Sequence, residues 1–231
     1  MMGRTLLVAL LVALLVGHAA LTRAAGDDAG CPAPATDAAV SAVPGDARSG
    51  VPDAPFTRPE ATVPANKRTA RGLYLTARDA YDMVNEGPAS LLFIDVRTRG
   101  ELQFNGMPTL VDAHVPYLIE ASPLQWDDAS SSFKLVPNPD FVAAVERRLT
   151  AKGLTRDSRV LLICQGGVRA ARAADVLTKA GYTTAYTIVD GFEGDPVAEG
   201  PTKGLRLVNG WRNAGLPWTT KLDRSKMYAL E

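Results

Sequence analysis

An α/β domain built on a mostly parallel sheet is what this sequence predicts, and three observations predict it. Short apolar runs recur at LLFIDV (91–96), RVLLIC (159–164) and AYTIVD (185–190), and nearly continuous apolarity over so few residues suits strands covered on both faces. The stretches before and between them place apolar residues at helical spacing. Strands that alternate with helices of roughly 10 to 15 residues assemble as a parallel sheet with helices on both faces. One domain over 71–231 is expected, with its core within roughly 71–220.

The chain of 231 residues is long enough for that domain plus appendages. Met1 to Arg4 brings one positive charge, and Leu6 to Val16 (LLVALLVALLV) is an uninterrupted apolar run of 11 residues followed by small ones. That run falls short of the roughly 20 residues a membrane-crossing helix needs, and its order of charge, apolar middle and small-residue end is that of a secretory signal. Residues 1–25 are expected to be a signal peptide cleaved between Ala19 and Ala25, with an uncleaved anchor as the alternative. Export would leave the mature chain in the periplasm of a Gram-negative bacterium, without stable membrane insertion. Asp27 and Asp28 separate Cys31 from the apolar run, which argues against lipid attachment there. From Gly26 to Ala70 the chain is rich in Ala, Pro, Asp and Gly without a sustained hydrophobic period, so 26–70 is expected to be a flexible linker. Cys31, inside it, is read either as a disulfide or attachment site or as an exposed bystander.

The domain begins with Thr76 as a helix cap, followed by Asp79 in the first turn, apolar Ala80, Met83 and Val84, and Gly87 as a stop. The first strand, 91–96, comes next. A polar, Pro-containing passage over 98–137 is longer than a typical connection and predicts a functional lid or structure of its own. Asn138 and Pro139 then open a helix with Phe141, Val142, Val145 and Leu149 on one face and Gly153 at its end. The second strand, 159–164, leads into a small-residue helix over 170–181 and the third strand, 185–190.

Lys plus Arg equals Asp plus Glu at 25 each, so no overall charge bias points to nucleic acid as a partner. Anion chemistry, if present, must be local. The stretch LLICQGGVRAARAADVL (161–177) suggests where. Cys164 ends a strand and a helix starts a few residues later, on the edge of the sheet where ligands bind in open α/β folds. Gly166 and Gly167 allow positive φ and bring main-chain N–H groups close to a ligand, and the helix N-terminus reinforces that cradle. A thiolate is the form of Cys164 that such N–H groups stabilise. Arg169 adds a fixed charge and a fork of donors. The competing reading is Cys164 as a small hydrophobe in the core, which would not need two glycines and an arginine beside it.

These residues resemble the active-site loop of the rhodanese family of sulfurtransferases: Cys164-Gln165-Gly166-Gly167-Val168-Arg169 between a strand and an Ala-rich helix. LLFIDVRTRGE (91–101) is similar to that family's Asp-Val-Arg strand motif, and DAHVP (112–116) stands where the family has Gly-His-Ile-Pro. VDGFEGD (189–195) and NGWRNAGLPW (209–218) resemble exported bacterial single-domain members, and the likeness spans about residues 72–227. The resemblance implies a single rhodanese-like domain and a persulfide mechanism. Cys164 would take the outer sulfur of thiosulfate or a related small anionic donor, and a thiol, cyanide or protein acceptor would remove it. No metal or organic cofactor is implied. The loop from Gln165 to Arg169 would hold the thiolate and the persulfide, with Arg169 positioning the donor. Where many of the similar members carry an arginine and a serine after the cysteine, and a serine after the loop arginine, this chain has Gln165, Gly166 and Ala170. Those departures leave open a sulfur-carrier or binding module with little turnover of thiosulfate.

Asp95 and Arg97 are read as supporting residues. Asp95 would pair with Arg169, cap the loop, or serve as a strand-end turn residue. Arg97 and Glu101, four apart, are expected to form a structural ion pair. His114, the one histidine beyond the signal segment, is read as structural rather than as a base. Glu193 and Asp195 either line the mouth of the site or belong to a solvated loop. Trp211, Leu216 and Trp218 are expected to form a hydrophobic lid on the core. Rival chemistries lack their residues: four residues rather than five separate Cys164 from Arg169, unlike the cysteine phosphatases, and there is no C-x-x-C, no G-x-S-x-G and no histidine cluster.

Overall fold

The computed structural model describes residues 59–229. The expected signal segment, its cleavage position, Cys31 and the linker up to residue 58 lie outside the described residues. Within them, the part of the expected linker that precedes the domain is not loose chain. Glu60–Thr62 and Ala65–Lys67 form 3-10 turns, and Lys67 is buried. Lys67 buries its stem and satisfies its ammonium group, which is what an apolar-period reading of 59–70 cannot detect.

Strand β1 (Tyr74–Leu75) leads into α1 (Ala77–Glu86). The Thr76 hydroxyl accepts from the Asp79 N–H while the Asp79 carboxylate accepts from the Thr76 N–H, a reciprocal cap that satisfies two otherwise unpartnered donors. β2 (Leu91–Asp95) is followed by α2 (Arg99–Asn105), capped in the same way by Thr98 and Glu101. The passage then holds β3 (Met107–Pro108), β4 (Ala113–His114) and an arm of two nested antiparallel pairs. In that arm β5 (Leu118–Glu120) pairs with β8 (Leu135–Pro137), and β6 (Trp126–Asp127) pairs with β7 (Ser132–Phe133). The long passage therefore has structure of its own. α3 (Phe141–Ala151) starts later than the sequence suggests, because Asn138 is used in a turn: its Oδ1 accepts from the Asp140 N–H and its Nδ2 donates to the Pro116 carbonyl. β9 (Arg159–Ile163), α4 (Val168–Lys179) and β10 (Ala185–Ile188) complete the main elements, and β11 (Trp218–Thr219) pairs antiparallel with β3.

The central sheet has five strands in the order β1-β10-β9-β2-β4, every neighbouring pair parallel. Its two-residue edge strands, β1 and β4, are too short to show any period, and the sequence does not reveal them. Alternation divides each central strand between two cores. Leu91 and Phe93 of β2 and Leu161 and Ile163 of β9 face α1, Leu102 and Trp211; Leu92, Ile94, Val160 and Leu162 face α3 and α4. Helices thus cover both faces, as expected. Trp211 packs on Phe93 and Tyr81 at ring separations of 5.4 and 6.0 Å. Of the expected lid, Trp211 and Leu216 are core, whereas Trp218 is 40% exposed.

At the end of β2 the fold buries a complete ion pair. The Asp95 carboxylate and the Arg97 guanidinium have no exposed side-chain surface and meet at 2.6 Å. Arg97 Nη2 also donates to the Gly106 carbonyl at 2.8 Å, and the guanidinium lies 4.1 Å from the centre of the Phe192 ring. Removing one partner of such a pair leaves the other charge buried alone. Asp95→Ala is expected to destabilise the fold by about 3–5 kcal/mol, read as a fall in the urea midpoint at unchanged slope.

His114 is fully buried with Nε2 2.8 Å from the Arg97 carbonyl. Burial pulls its imidazole below the ordinary 6.5, a pull that Asp95 and the Arg97 carbonyl only partly oppose. As pH falls through 6.5, the unfolded imidazole therefore takes up its proton before the folded one. Stability should be flat above that pH and decline below it. Unfolding titrations between pH 7.5 and roughly 5.5 should show that decline, and His114→Asn should flatten it.

Candidate active site

β9 delivers Cys164 to the carboxyl edge of the sheet, and its chain neighbours decide which way the loop faces. The Cys164 carbonyl accepts from Phe192 N–H at 2.7 Å, and the Gln165 carbonyl accepts from Glu193 N–H at 2.9 Å and Gly194 N–H at 3.2 Å. With these carbonyls tied to the 192–194 segment, the amides of the loop are left for the other side. Gly167 N–H donates to Cys164 Sγ at 3.1 Å and Ala170 N–H at 3.4 Å. The N–H groups of Gln165, Gly166, Val168 and Arg169 have no acceptor among the described residues. The first turn of α4 supplies several of these donors, since a helix cannot satisfy its own first N–H groups.

Gly167 is the hinge of this arrangement. It caps α4 with φ of 96°, and a Cβ there would collide with the Val189 carbonyl and the Lys67 stem. Cys164 itself is 1% exposed and is the free cysteine among the described residues. It forms the floor of a cavity of about 240 Å³, walled by the loop on one side and by Lys67, Asp195 and Arg206 on the other. That volume holds about eight waters at about 30 Å³ each, so the cavity fits a small ion rather than an extended ligand.

The charges around the cavity are largely paired. Arg169 holds Glu101 with two bonds of 2.6 and 2.5 Å. Burial alone would raise the Glu101 carboxyl, but the Arg169 bonds and charge, helped by Thr98, bring it below its ordinary value. Burial likewise pulls Arg169 down, and its bonds to Glu101 outweigh that pull and hold the guanidinium above its ordinary range, with smaller support from Cys164 and Asp95. Lys67 Nζ donates to Asp195 at 2.7 Å and to the Val189 carbonyl at 2.9 Å. Arg206 donates Nη1 to the Gly194 carbonyl at 2.5 Å and has no carboxylate partner among the described residues.

One expected pairing is therefore corrected: Arg97 does not pair with Glu101 but with Asp95, and Glu101 pairs with Arg169. Of the readings open for Asp95, the structure has the strand-end turn residue, its Oδ1 accepting from the Arg97 N–H at 3.0 Å, and not the partner of Arg169. The reason is geometric. β2 ends with Asp95 and Arg97 turned into the core, whereas Thr98 starts α2 and sets Glu101 in its first turn, facing the cysteine loop. Arg169, read from the sequence as the group that grips a donor, has both Nη atoms committed to Glu101. Glu193 is buried and accepts from Asn105 at 2.9 Å and from Gln165 at 3.3 Å. Lys67 and Arg206 were not predicted. They come from segments far from the cysteine in sequence, and a single basic residue in a loop carries no positional signal. Among the described residues, no three His, Cys, Asp or Glu side chains form a group suited to a metal ion.

Fold and site together define a parallel α/β domain that presents one cysteine in a cup of backbone amides. The chain belongs to the family of rhodanese-like domains, a family of sulfurtransferase type, whose pattern matches residues 76–194, just over half of the chain. It is 30% identical over 139 residues to uncharacterized proteins of Rickettsia conorii and Rickettsia montanensis, covering 60% of this chain and 90% of each of those. Among solved structures it is similar to Rv0390 from M. tuberculosis, with 30% identity, TM-score 0.49, and coverage of 64% of this chain and 97% of that one. It is also similar to the polysulfide-sulfur transferase homodimer from Wolinella succinogenes, with 24% identity, TM-score 0.41, and coverage of 69% and 85%.

Gly167→Ala should cost at least about 1–2 kcal/mol, from the left-handed backbone alone. It should also turn the amide at 167 away from the sulfur, measured as a lower melting temperature together with a changed rate of Cys164 alkylation.

Proposed function

We propose that the protein is a sulfurtransferase that carries a sulfane sulfur on Cys164 as a persulfide. The observation that supports this most directly is the pair of backbone N–H groups aimed at Cys164 Sγ, with four more unclaimed amides in the residues that line the cavity. Such fixed donors stabilise negative charge without having to reorganise as it develops. In the first half-reaction the Cys164 thiolate attacks the outer sulfur of thiosulfate. The new S–S bond forms on Cys164, the old one breaks, and sulfite leaves with the bonding electron pair. In the second, cyanide or a thiolate attacks the outer persulfide sulfur, and the electron pair returns to Cys164 as thiolate. The balance needs no outside oxidant or reductant. With Cys164 almost fully covered, the acceptor must be slender, either cyanide or a thiol on an exposed chain tip. The apolar run of Leu6 to Val16 supports export, which would place this exchange in the periplasm.

One observation favours a second reading, a sulfur carrier of the same fold with little thiosulfate turnover. Both Nη atoms of Arg169 are held by Glu101, so the loop arginine offers little to an incoming donor. Turnover separates the two readings: a carrier loads one sulfur and then discharges it slowly to small acceptors.

Intact mass of the purified chain should rise by one sulfur after thiosulfate, and cyanide should reverse the gain with release of thiocyanate. Cys164→Ser should show no gain while its melting temperature stays within a few degrees of the parent. Sulfur loading by the serine variant would sink the mechanism.

A further inference from the structure

The cavity holds three basic side chains, and two of them are already neutralised. Lys67 is paired with Asp195 at 2.7 Å and Arg169 with Glu101 at 2.5 Å. Arg206 alone lines the cavity without a carboxylate partner among the described residues, and one bond to the Gly194 carbonyl leaves most of its five N–H donors unused. The excess positive charge facing Cys164 is therefore that of Arg206.

Its mount is built for a fixed position. Pro196 and Arg206 form an antiparallel bridge, closed by Val197 N–H donating to the Leu205 carbonyl at 2.8 Å. The Arg206 carbonyl accepts from Asn213 Nδ2 at 3.0 Å, and the same amide group donates to the carbonyls of Glu193 and Asn209. The site also makes room for it. A Cβ on Gly166 would lie 2.8 Å from Arg206 Nη1 and 3.1 Å from the Gly194 carbonyl to which that nitrogen donates. The guanidinium occupies space that any side chain at 166 would claim. The family match ends at residue 194, before the excursion that carries Arg206.

We infer that Arg206 is the donor-selecting residue of this site: it binds the oxyanion end of the sulfur donor and holds the departing sulfite, a role Gly166 permits by having no side chain. This inference rests on the sulfur-transfer reading above. The group it binds is the leaving group, so Arg206 acts on donor affinity and does not touch the sulfur that stays on Cys164.

Thiosulfate:cyanide kinetics on the full protein, with cyanide saturating, are compared for the parent, Arg206→Gln, Arg206→Lys, Gly166→Ser and the Gly166→Ser/Arg206→Gln pair. Thiosulfate binding is measured in parallel by calorimetry on the Cys164→Ser protein with and without Arg206→Gln, which reads affinity without turnover. Loss of a charge-assisted contact should raise the thiosulfate KM and the calorimetric Kd roughly ten- to a hundredfold, with kcat within about threefold. Arg206→Lys should recover most of the loss. Gly166→Ser should mimic Arg206→Gln, and the double variant should be no worse than either single one, because both remove the same contact. Unchanged KM and Kd in Arg206→Gln, or a loss confined to kcat, overturns the role of Arg206 while leaving sulfur transfer intact. Fully additive losses in the double variant overturn the part assigned to Gly166. If the parent protein loads no sulfur, the sulfur-transfer reading fails, and the calorimetric comparison still decides whether Arg206 binds the anion.

Discussion

The buried pair of Asp95 and Arg97 is the constraint on which the site depends. Two charges without exposed surface are tolerated in a core only where their geometry is close and their other donors are occupied. Here Nε and Nη2 of Arg97 meet that condition, through Asp95 and the Gly106 carbonyl, while Nη1 has no hydrogen-bond partner among the described residues. Arg97 joins the end of β2 to Gly106, just past α2, and lies on the ring of Phe192, whose N–H in turn holds the Cys164 carbonyl. His114 on the edge strand bonds the Arg97 carbonyl from the other side. The cysteine loop is thus braced against the interior of the fold, and its amides can be held toward the sulfur without relying on the loop's own stiffness.

Around this brace the charges are arranged pairwise. Glu101 serves twice, as the cap of α2 and as the partner of Arg169, so the first turn of α2 and the first turn of α4 are locked to each other beside the cup. Lys67 and Asp195 lock the opposite wall. Such pairs, about four-fifths or more buried on at least one side, give position more than they give net stability. Their effect is to leave the amide cup and one guanidinium as the features able to receive an anion. A site with every basic residue unpaired would attract any anion, whereas here, among the described residues that line the cavity, Arg206 is the cation without a carboxylate partner.

How much of this was legible in the sequence follows the range of the interactions. The three central strands, α1 with its capping box, and the placement of Cys164 at the head of α4 were determined by the sequence itself, because each depends on residues within a few positions: nearly continuous apolar runs, Thr76 with Asp79, and Gly167 at a positive φ. The edge strands β1 and β4, the nested hairpins of the 118–137 arm, and the exchange of partners among Asp95, Arg97, Glu101 and Arg169 were decided only by the tertiary structure. A two-residue strand exists only because a neighbour completes its hydrogen bonds, and an i,i+4 spacing predicts a pair only when both residues lie on one helix. Arg97 precedes α2 rather than belonging to it. Lys67 and Arg206 are the clearest case. Nothing local marks either as part of a site, and each becomes one only because the fold brings its segment against the same strand ends that carry the cysteine.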